Sequence, residues 1–211
     1  MITVIDYGSG NLRSVAKALE VSGARVMVTS QAAEIKSASH LVLPGVGAFA
    51  DCHCNLEAAG LLSLLHDHIQ AGKPFLGICV GMQLLFTEGH EFGIHPGLDL
   101  IPGKVTGFAK TMRDPAHPDI RLKIPHMGWN RIHSLSSHPL WQGIAPDTHF
   151  YFVHSFHGVV EDRSMIAALS DYGVTFPAAV AKENLFGIQF HPEKSQNAGL
   201  RLLQNFVQWR P

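Results

Sequence analysis

Over its first 78 residues the chain alternates strand-like and helix-like segments, and this alternation narrows the possible folds more than any other feature. Ile2 to Ile5, Arg25 to Thr29, His40 to Leu43 and Pro74 to Ile78 are short apolar runs of strand length. Asn11 stands where it can cap a helix over Leu12 to Ser22, with Val15, Ala18, Leu19 and Val21 as its apolar positions. A long helix is expected from Cys52 to Ala71, ended by Gly72. Such alternation calls for a mostly parallel sheet with helices on both faces, a three-layer α/β sandwich. From about Leu98 to Gln189 the pattern changes to β-like runs broken by Gly and Pro: Lys104 to Phe108, His149 to Phe156, Met165 to Leu169 and Leu185 to Phe190. A last helix, Asn197 to Trp209, would bury Leu200, Leu203, Phe206 and Val207. All of this fits one domain, residues 1–211, and the Pro- and charge-rich segment 110–123 reads as an exposed loop.

The strand Pro74 to Ile78 runs into Gly77-Ile78-Cys79-Val80-Gly81, and Met82 to Phe86 has the composition of a helix packed on a sheet. That G-x-C-x-G spacing matches a strand-turn-helix elbow with a nucleophile on its bend. A thiol there faces the first N–H groups of a helix, which favour the anion that nucleophilic attack requires. The competing reading is a buried structural cysteine, against which the two flanking glycines count.

A base is available late in the chain, in LFGIQFHPEKS at 185–195. A strand is expected to end at His191, with Pro192 blocking further pairing. In extended backbone, residues two apart project the same way, so Glu193 could bond the imidazole and select its tautomer. Cys79 is then the nucleophile, His191 the base and Glu193 the orienting group. The carboxyl ends of strands in an open α/β sheet gather at one edge, where both segments would lie. Attack on an acyl carbon also needs an oxyanion hole. His40 to Leu43 leads into Pro44-Gly45-Val46-Gly47, so the expected donors are the Val80 N–H plus one from Gly45 or Val46.

Composition excludes several classes. Sixteen basic and seventeen acidic side chains leave a net charge of −1, with no electrostatic footprint for nucleic acid or an anionic membrane. Only 16% of residues are charged, below the usual ~25%, which suits a surface partly covered by another protein. No apolar run approaches the ~20 residues of a membrane span, and the N-terminus lacks a signal-peptide pattern. Three cysteines argue against a disulfide framework and for a reducing compartment, the cytoplasm. Cys52-His53-Cys54 would chelate poorly from one helix, so no metal is expected. In DYGSGN, Arg13 occupies the third glycine position of a dinucleotide fingerprint, which therefore fails, and no cofactor is implied. The fourteen histidines are scattered.

GICVGMQ with the late HPE resembles class I, triad-type glutamine amidotransferase domains, whose fold is flavodoxin-like. DYGSGN (6–11), LPGVGAF (43–49), GICVGMQLL (77–85), IPHMGWN (124–130), YFVHSF (151–156) and GIQFHPEKS (187–195) together resemble the glutaminase subunits of imidazole glycerol phosphate synthases. The resemblance implies hydrolysis of L-glutamine to glutamate and ammonia through a thioester on Cys79, with His191 passing the proton. It gives Gln83 a role in holding substrate, together with backbone groups of Ser155 and Phe156. The family often has tyrosine at the position of Phe156. It also implies a heterodimer with a (β/α)₈-barrel cyclase, to which ammonia passes for imidazole glycerol phosphate and aminoimidazole carboxamide ribotide, in histidine biosynthesis. Asn11, Trp129, Tyr151 and Lys194 are the implied partner-facing positions, and core packing is the alternative for Trp129 and Tyr151. Reorientation of the Gly45–Val46 peptide would complete the oxyanion hole and couple the two sites. Rival readings are a glutaminase of another amidotransferase complex, a free-standing cysteine γ-glutamyl hydrolase and a non-catalytic flavodoxin-like scaffold.

Overall fold

The computed structural model describes residues 1–211. The first part contains β1 (Ile2–Ile5), α1 (Leu12–Val21), β2 (Val26–Thr29), α2 (Ala32–Ser37), β3 (His40–Gly45), α3 (Phe49–Ala58) and α4 (Leu62–Gln70). The elbow contains β4 (Phe75–Cys79) and α5 (Val80–Gln83), followed by β5 (Phe86–Gly89), β6 (His95–Pro96), β7 (Ile101–Gly107) and β8 (His126–Arg131). Then come β9 (His149–His154), β10 (Phe156–Val160), β11 (Ile166–Tyr172), β12 (Val174–Lys182), β13 (Leu185–Ile188) and α6 (Gln196–Gln208).

A seven-stranded sheet in the order β11-β12-β13-β4-β3-β1-β2 forms the middle layer. From β13 to β2 all neighbours are parallel, while β11 and β12 add an antiparallel edge. The central strands β1, β3, β4 and β13 are buried along their whole length, as strands covered on both faces must be. This central, mostly parallel sheet is the architecture expected from the alternation. A four-stranded sheet, β10-β7-β5-β6, and the ribbon β8-β9 stand beside it. No helix is long and apolar enough to cross a membrane.

Several boundaries differ from the sequence reading. The expected helix from Cys52 to Ala71 is two helices, because Gly60 sits at φ +66° and closes α3. Its N–H bonds the Glu57 carbonyl at 2.9 Å and that of Leu61 bonds Leu56 at 3.0 Å, the two contacts of a Schellman ending. The helix expected over Met82 to Phe86 is instead α5, and Phe86 already pairs with Ile101 in the second sheet. The run His149 to Phe156 divides at Ser155, β9 pairing with β8 and β10 with β7. In α6 the buried positions include Leu202 and Asn205 beside Leu203 and Phe206, while Leu200 and Val207 lie at the margin, half-buried. Helix α2 and strand β12 have no counterpart in the sequence reading.

Candidate active site

Three strand ends converge on Cys79. β3 and β4 pair so that Gly45 lies beside Cys79, and β13 pairs with β4 up to Ile188 beside Ile78, three residues before His191. Cys79 itself has φ 56° and ψ −113°, a conformation disfavoured for any side chain and typical of a nucleophile held at a strained bend. The flanking glycines serve close approach: a Cβ at Gly77 would come within 2.6 Å of the Gly81 carbonyl, and one at Gly81 would strike the carbonyl of Leu43. Only four residues of helix follow, so the dipole argument made from sequence carries little here.

His191 and Glu193 meet as expected, but through a different local structure. Pro192–Lys194 form a single 3₁₀ turn, for which Pro192 presets the backbone, in place of extended chain. His191 Nδ1 bonds Glu193 Oε1 at 2.8 Å, with the two side chains 3% and 0% exposed. Asn11 does not cap α1; its Nδ2 donates to the same Glu193 Oε1 at 3.2 Å. The turn is fastened to β9 at two points, His191 N–H to the Tyr151 carbonyl at 2.9 Å and Tyr151 N–H to Ser195 Oγ at 2.9 Å, and is closed on itself by Ser195 Oγ–H to the His191 carbonyl at 2.6 Å. Nε2 of His191 is buried with no hydrogen-bond partner. Burial opposes charge on this ring, yet Cys79 and Glu193 outweigh it and lift its pKa to about 9. Burial likewise works against ionised Glu193, but its bond to His191 and the charge there hold its pKa below the usual value.

A cavity of about 300 Å³ opens over this group, lined by Cys79, Val80, Gln83, His154, Ser155, Phe156 and His191 among others. That is the small end of the range for ligand sites and suits an amino acid. Gln83 Nε2 donates to the Phe156 carbonyl at 3.1 Å and to Gln189 Oε1 at 3.0 Å, and Gln189 Nε2 points to Cys79 Sγ at 3.8 Å. The Ser155 carbonyl accepts the Phe108 N–H at 3.0 Å. Both hydrogens of the Gln83 amide are therefore engaged by the protein itself.

The expected oxyanion donors are not all presented to the thiol. Val80 opens α5, so its N–H has no acceptor within that helix. The Val46 N–H, however, donates to Ser9 Oγ at 3.1 Å, and Ser9 Oγ–H donates to the Val46 carbonyl at 2.6 Å. Cys52 adds a contact to that carbonyl at 3.5 Å. Tyr7 supports the same loop, its hydroxyl donating to the Pro44 carbonyl at 2.8 Å; burial pushes the phenol pKa up, so it remains a donor.

Trp129, Tyr151 and Lys194 form one cluster. The Trp129 and Tyr151 rings meet edge-on at 6.2 Å, and the Lys194 ammonium stands 5.7 Å from the Tyr151 ring centre. Trp129 is 47% exposed and Tyr151 half-buried, so plain core packing does not describe them. Cys52 is buried and Cys54 exposed, pointing apart as helix positions two apart do.

Sequence reasoning missed Ser9, Gln189, His154 and Glu91. Gln189 was within sight, two residues before His191 in a quoted motif. Glu91 carried no signal: it follows β5, accepts the Phe49 N–H at 2.7 Å and is the sole carboxylate lining the cavity.

The model of the family "Glutamine amidotransferase class-I" matches residues 3–209. A protein of Syntrophotalea carbinolica called imidazole glycerol phosphate synthase subunit HisH is 52% identical over 206 residues, covering 98% of each chain. A protein of the same name from Aromatoleum aromaticum is 48% identical over 212 residues, covering 100% of this chain and 99% of its own. Among solved structures, a glutamine amidotransferase superposes with a TM-score of 0.74 at 16% identity, covering 99% of this chain and 98% of that one. PurLQS from Thermotoga maritima gives 0.72 at 16% identity, covering 98% and 97%. At such identities the structures speak for the fold.

Proposed function

The chain belongs to the class I glutamine amidotransferase family, and from that premise we propose that it is the glutaminase subunit of an imidazole glycerol phosphate synthase, with Cys79, His191 and Glu193 as its catalytic residues. What carries the assignment of residues is the convergence at the sheet edge of a thiol on a strained bend and a buried imidazole–carboxylate pair. Cys79 as thiolate attacks the side-chain amide carbon of L-glutamine. The oxygen that becomes anionic is received by the N–H of Val80 and, after the Gly45–Val46 peptide turns, by that of Val46. His191, protonated at neutral pH, gives its proton to the departing ammonia, leaving a thioester and neutral imidazole. The imidazole then takes a proton from water, which attacks the thioester and releases glutamate. Glu91 suits the α-ammonium group of the substrate, and the carbonyl oxygen of Gln83 is left to face it.

The partner is a (β/α)₈-barrel cyclase, docked on the face that carries Trp129, Tyr151 and Lys194, with Asn11, which is bonded to Glu193, as a further contact. Ammonia needs such a route, because released into water at neutral pH it becomes ammonium and loses its nucleophilic lone pair. The three free thiols suit a reducing cytoplasm. Glutamate release should be negligible for the chain alone and rise strongly with the cyclase and its ligand. Full activity that ignores the cyclase would point instead to a free-standing hydrolase.

The pH profile tests the role of His191. Its raised pKa means the imidazolium and its pairing are fully present below the ordinary value of ~6.5 and are lost as pH rises through about 9. kcat/KM for glutamine in the complex should therefore fall on the alkaline side near 9, and Glu193→Gln should move that limb to lower pH. A limb unmoved by the substitution would remove Glu193 from this role.

Ser9 bears on the idle state. Ser9→Ala removes the hydrogen bond that holds the Val46 N–H turned away, worth ~1 kcal/mol, so partner-independent turnover should rise roughly fivefold. Unchanged basal turnover, followed as glutamate release, would show that Ser9 does not hold the loop.

A further inference from the structure

Three of the scattered histidines, His126, His154 and His157, come together with Phe108, Phe152, Tyr172 and Phe176 beneath the candidate active site. Two of them lie on a run of hydrogen bonds whose direction is set at every step. Asn130 sets it. Its Oδ1 accepts the Arg131 backbone N–H at 2.8 Å, and its Nδ2 donates to the Asp171 carbonyl at 2.9 Å. The other amide hydrogen meets His126 Nε2 at 3.3 Å, making that nitrogen an acceptor. The proton of His126 is then on Nδ1, from which it donates to His154 Nε2 at 2.9 Å. His154 carries its own proton on Nδ1 and donates to the Phe156 carbonyl at 2.8 Å.

Such a run works only with neutral rings, since a second proton on either would set donor against donor. Burial keeps them neutral, pushing the pKa of His126 down to about 4 and that of His154 to about 3. Packing prevents ring rotation: His126 is stacked on Tyr172 at 4.0 Å and on Phe152 at 5.0 Å.

The far end acts on the nucleophile's surroundings. A carbonyl oxygen has two lone pairs, and that of Phe156 receives His154 and Gln83. It is therefore not free to bind the substrate ammonium, contrary to one use of the Phe156 backbone that the family resemblance allows. Its place is to hold Gln83, which holds Gln189, which reaches Cys79.

We propose that His126 and His154 are positioning residues of the glutaminase site: in matching Nδ1–H tautomers, directed by Asn130, they hold the Phe156 carbonyl and through it the Gln83 side chain in the geometry that binds glutamine. This rests on the glutaminase reading above. It also places the start of the chain at Asn130, beside Trp129 on β8.

Two measurements test it. The first is ¹⁵N NMR of histidine-labelled protein at neutral pH, which reads tautomers without any assay of activity. Both rings should show protonated Nδ1 and unprotonated Nε2; either ring found as the Nε2–H tautomer, or charged, overturns the proposal. The second is glutamine kinetics of the complex with the cyclase. An asparagine amide can place an N–H where imidazole Nδ1 stood, so His154→Asn keeps the donor to Phe156 that His154→Leu removes. The Leu variant should raise KM for glutamine about tenfold, the effect of ~1.4 kcal/mol, with kcat changed less, and the Asn variant should recover most of it. Equal losses in both, or a fall in kcat at constant KM, would overturn the proposal. If His154→Leu does not fold, the tautomers of the wild type and the kinetics of His154→Asn still decide. A wild-type complex that releases no glutamate would overturn the glutaminase reading itself, whatever the tautomers.

Discussion

Cys79→Ala should lower glutamate release by the assembled complex by roughly four orders of magnitude or more, the scale on which loss of a triad nucleophile is felt. The substitution removes one sulfur atom at a side chain 4% exposed, and the backbone bend at φ 56° is no harder for alanine than for cysteine. The only hydrogen bond lost is the long one from Gln189, at 3.8 Å. Melting temperature and affinity for the cyclase should therefore stay near those of the wild type, which separates lost chemistry from lost structure. A variant retaining more than a few per cent of the rate would mean that His191 can activate water directly, and the thioester route would have to be abandoned. The residual rate should not fall much further when His191 is also replaced, because groups that act as a unit do not contribute additively.

Gly81→Ala should destabilise the protein by about 4 kcal/mol or more, or prevent folding, an effect beyond that of ordinary substitutions. The new methyl group would strike the Leu43 carbonyl, and the atoms on both sides belong to backbone that cannot swing aside. Leu43 lies in β3 beside Gly77 of β4, so relief of the clash would have to part the two strands that frame the elbow. Gly60→Ala provides the contrast. Gly60 also resists substitution, through its φ of +66°, but nothing lies within 4 Å of a Cβ there. Its cost should be about 1 kcal/mol, the strain of a left-handed alanine alone. Denaturant midpoints of the two variants read the difference directly; similar midpoints would show that the elbow can relax.

The central sheet was legible because strands buried on both faces leave uninterrupted apolar runs, and β1, β3, β4 and β13 are such strands. The residues Cys79, His191 and Glu193 were legible because each lies in a short motif whose chemistry is local. Gly60 was misread because the apolar pattern continues on both sides of it, and only its hydrogen bonds show that one helix has ended before Leu62 begins the next. The Pro192 turn was misjudged because the same His–Glu contact can be made from extended or helical backbone. Glu91, Ser9 and the His126–His154 pair were out of reach for a different reason. Their partners lie 42, 37 and 28 residues away, and strand register decides whether they meet.

The clasp of Ser9 on the Val46 peptide has a consequence for the cell as well as for the site. On the proposed function, a subunit whose oxyanion loop stays closed until it is docked would do no harm when made in surplus. Free copies would then neither drain the glutamine pool nor add ammonium, and the supply of the two chains would not need to be matched molecule for molecule.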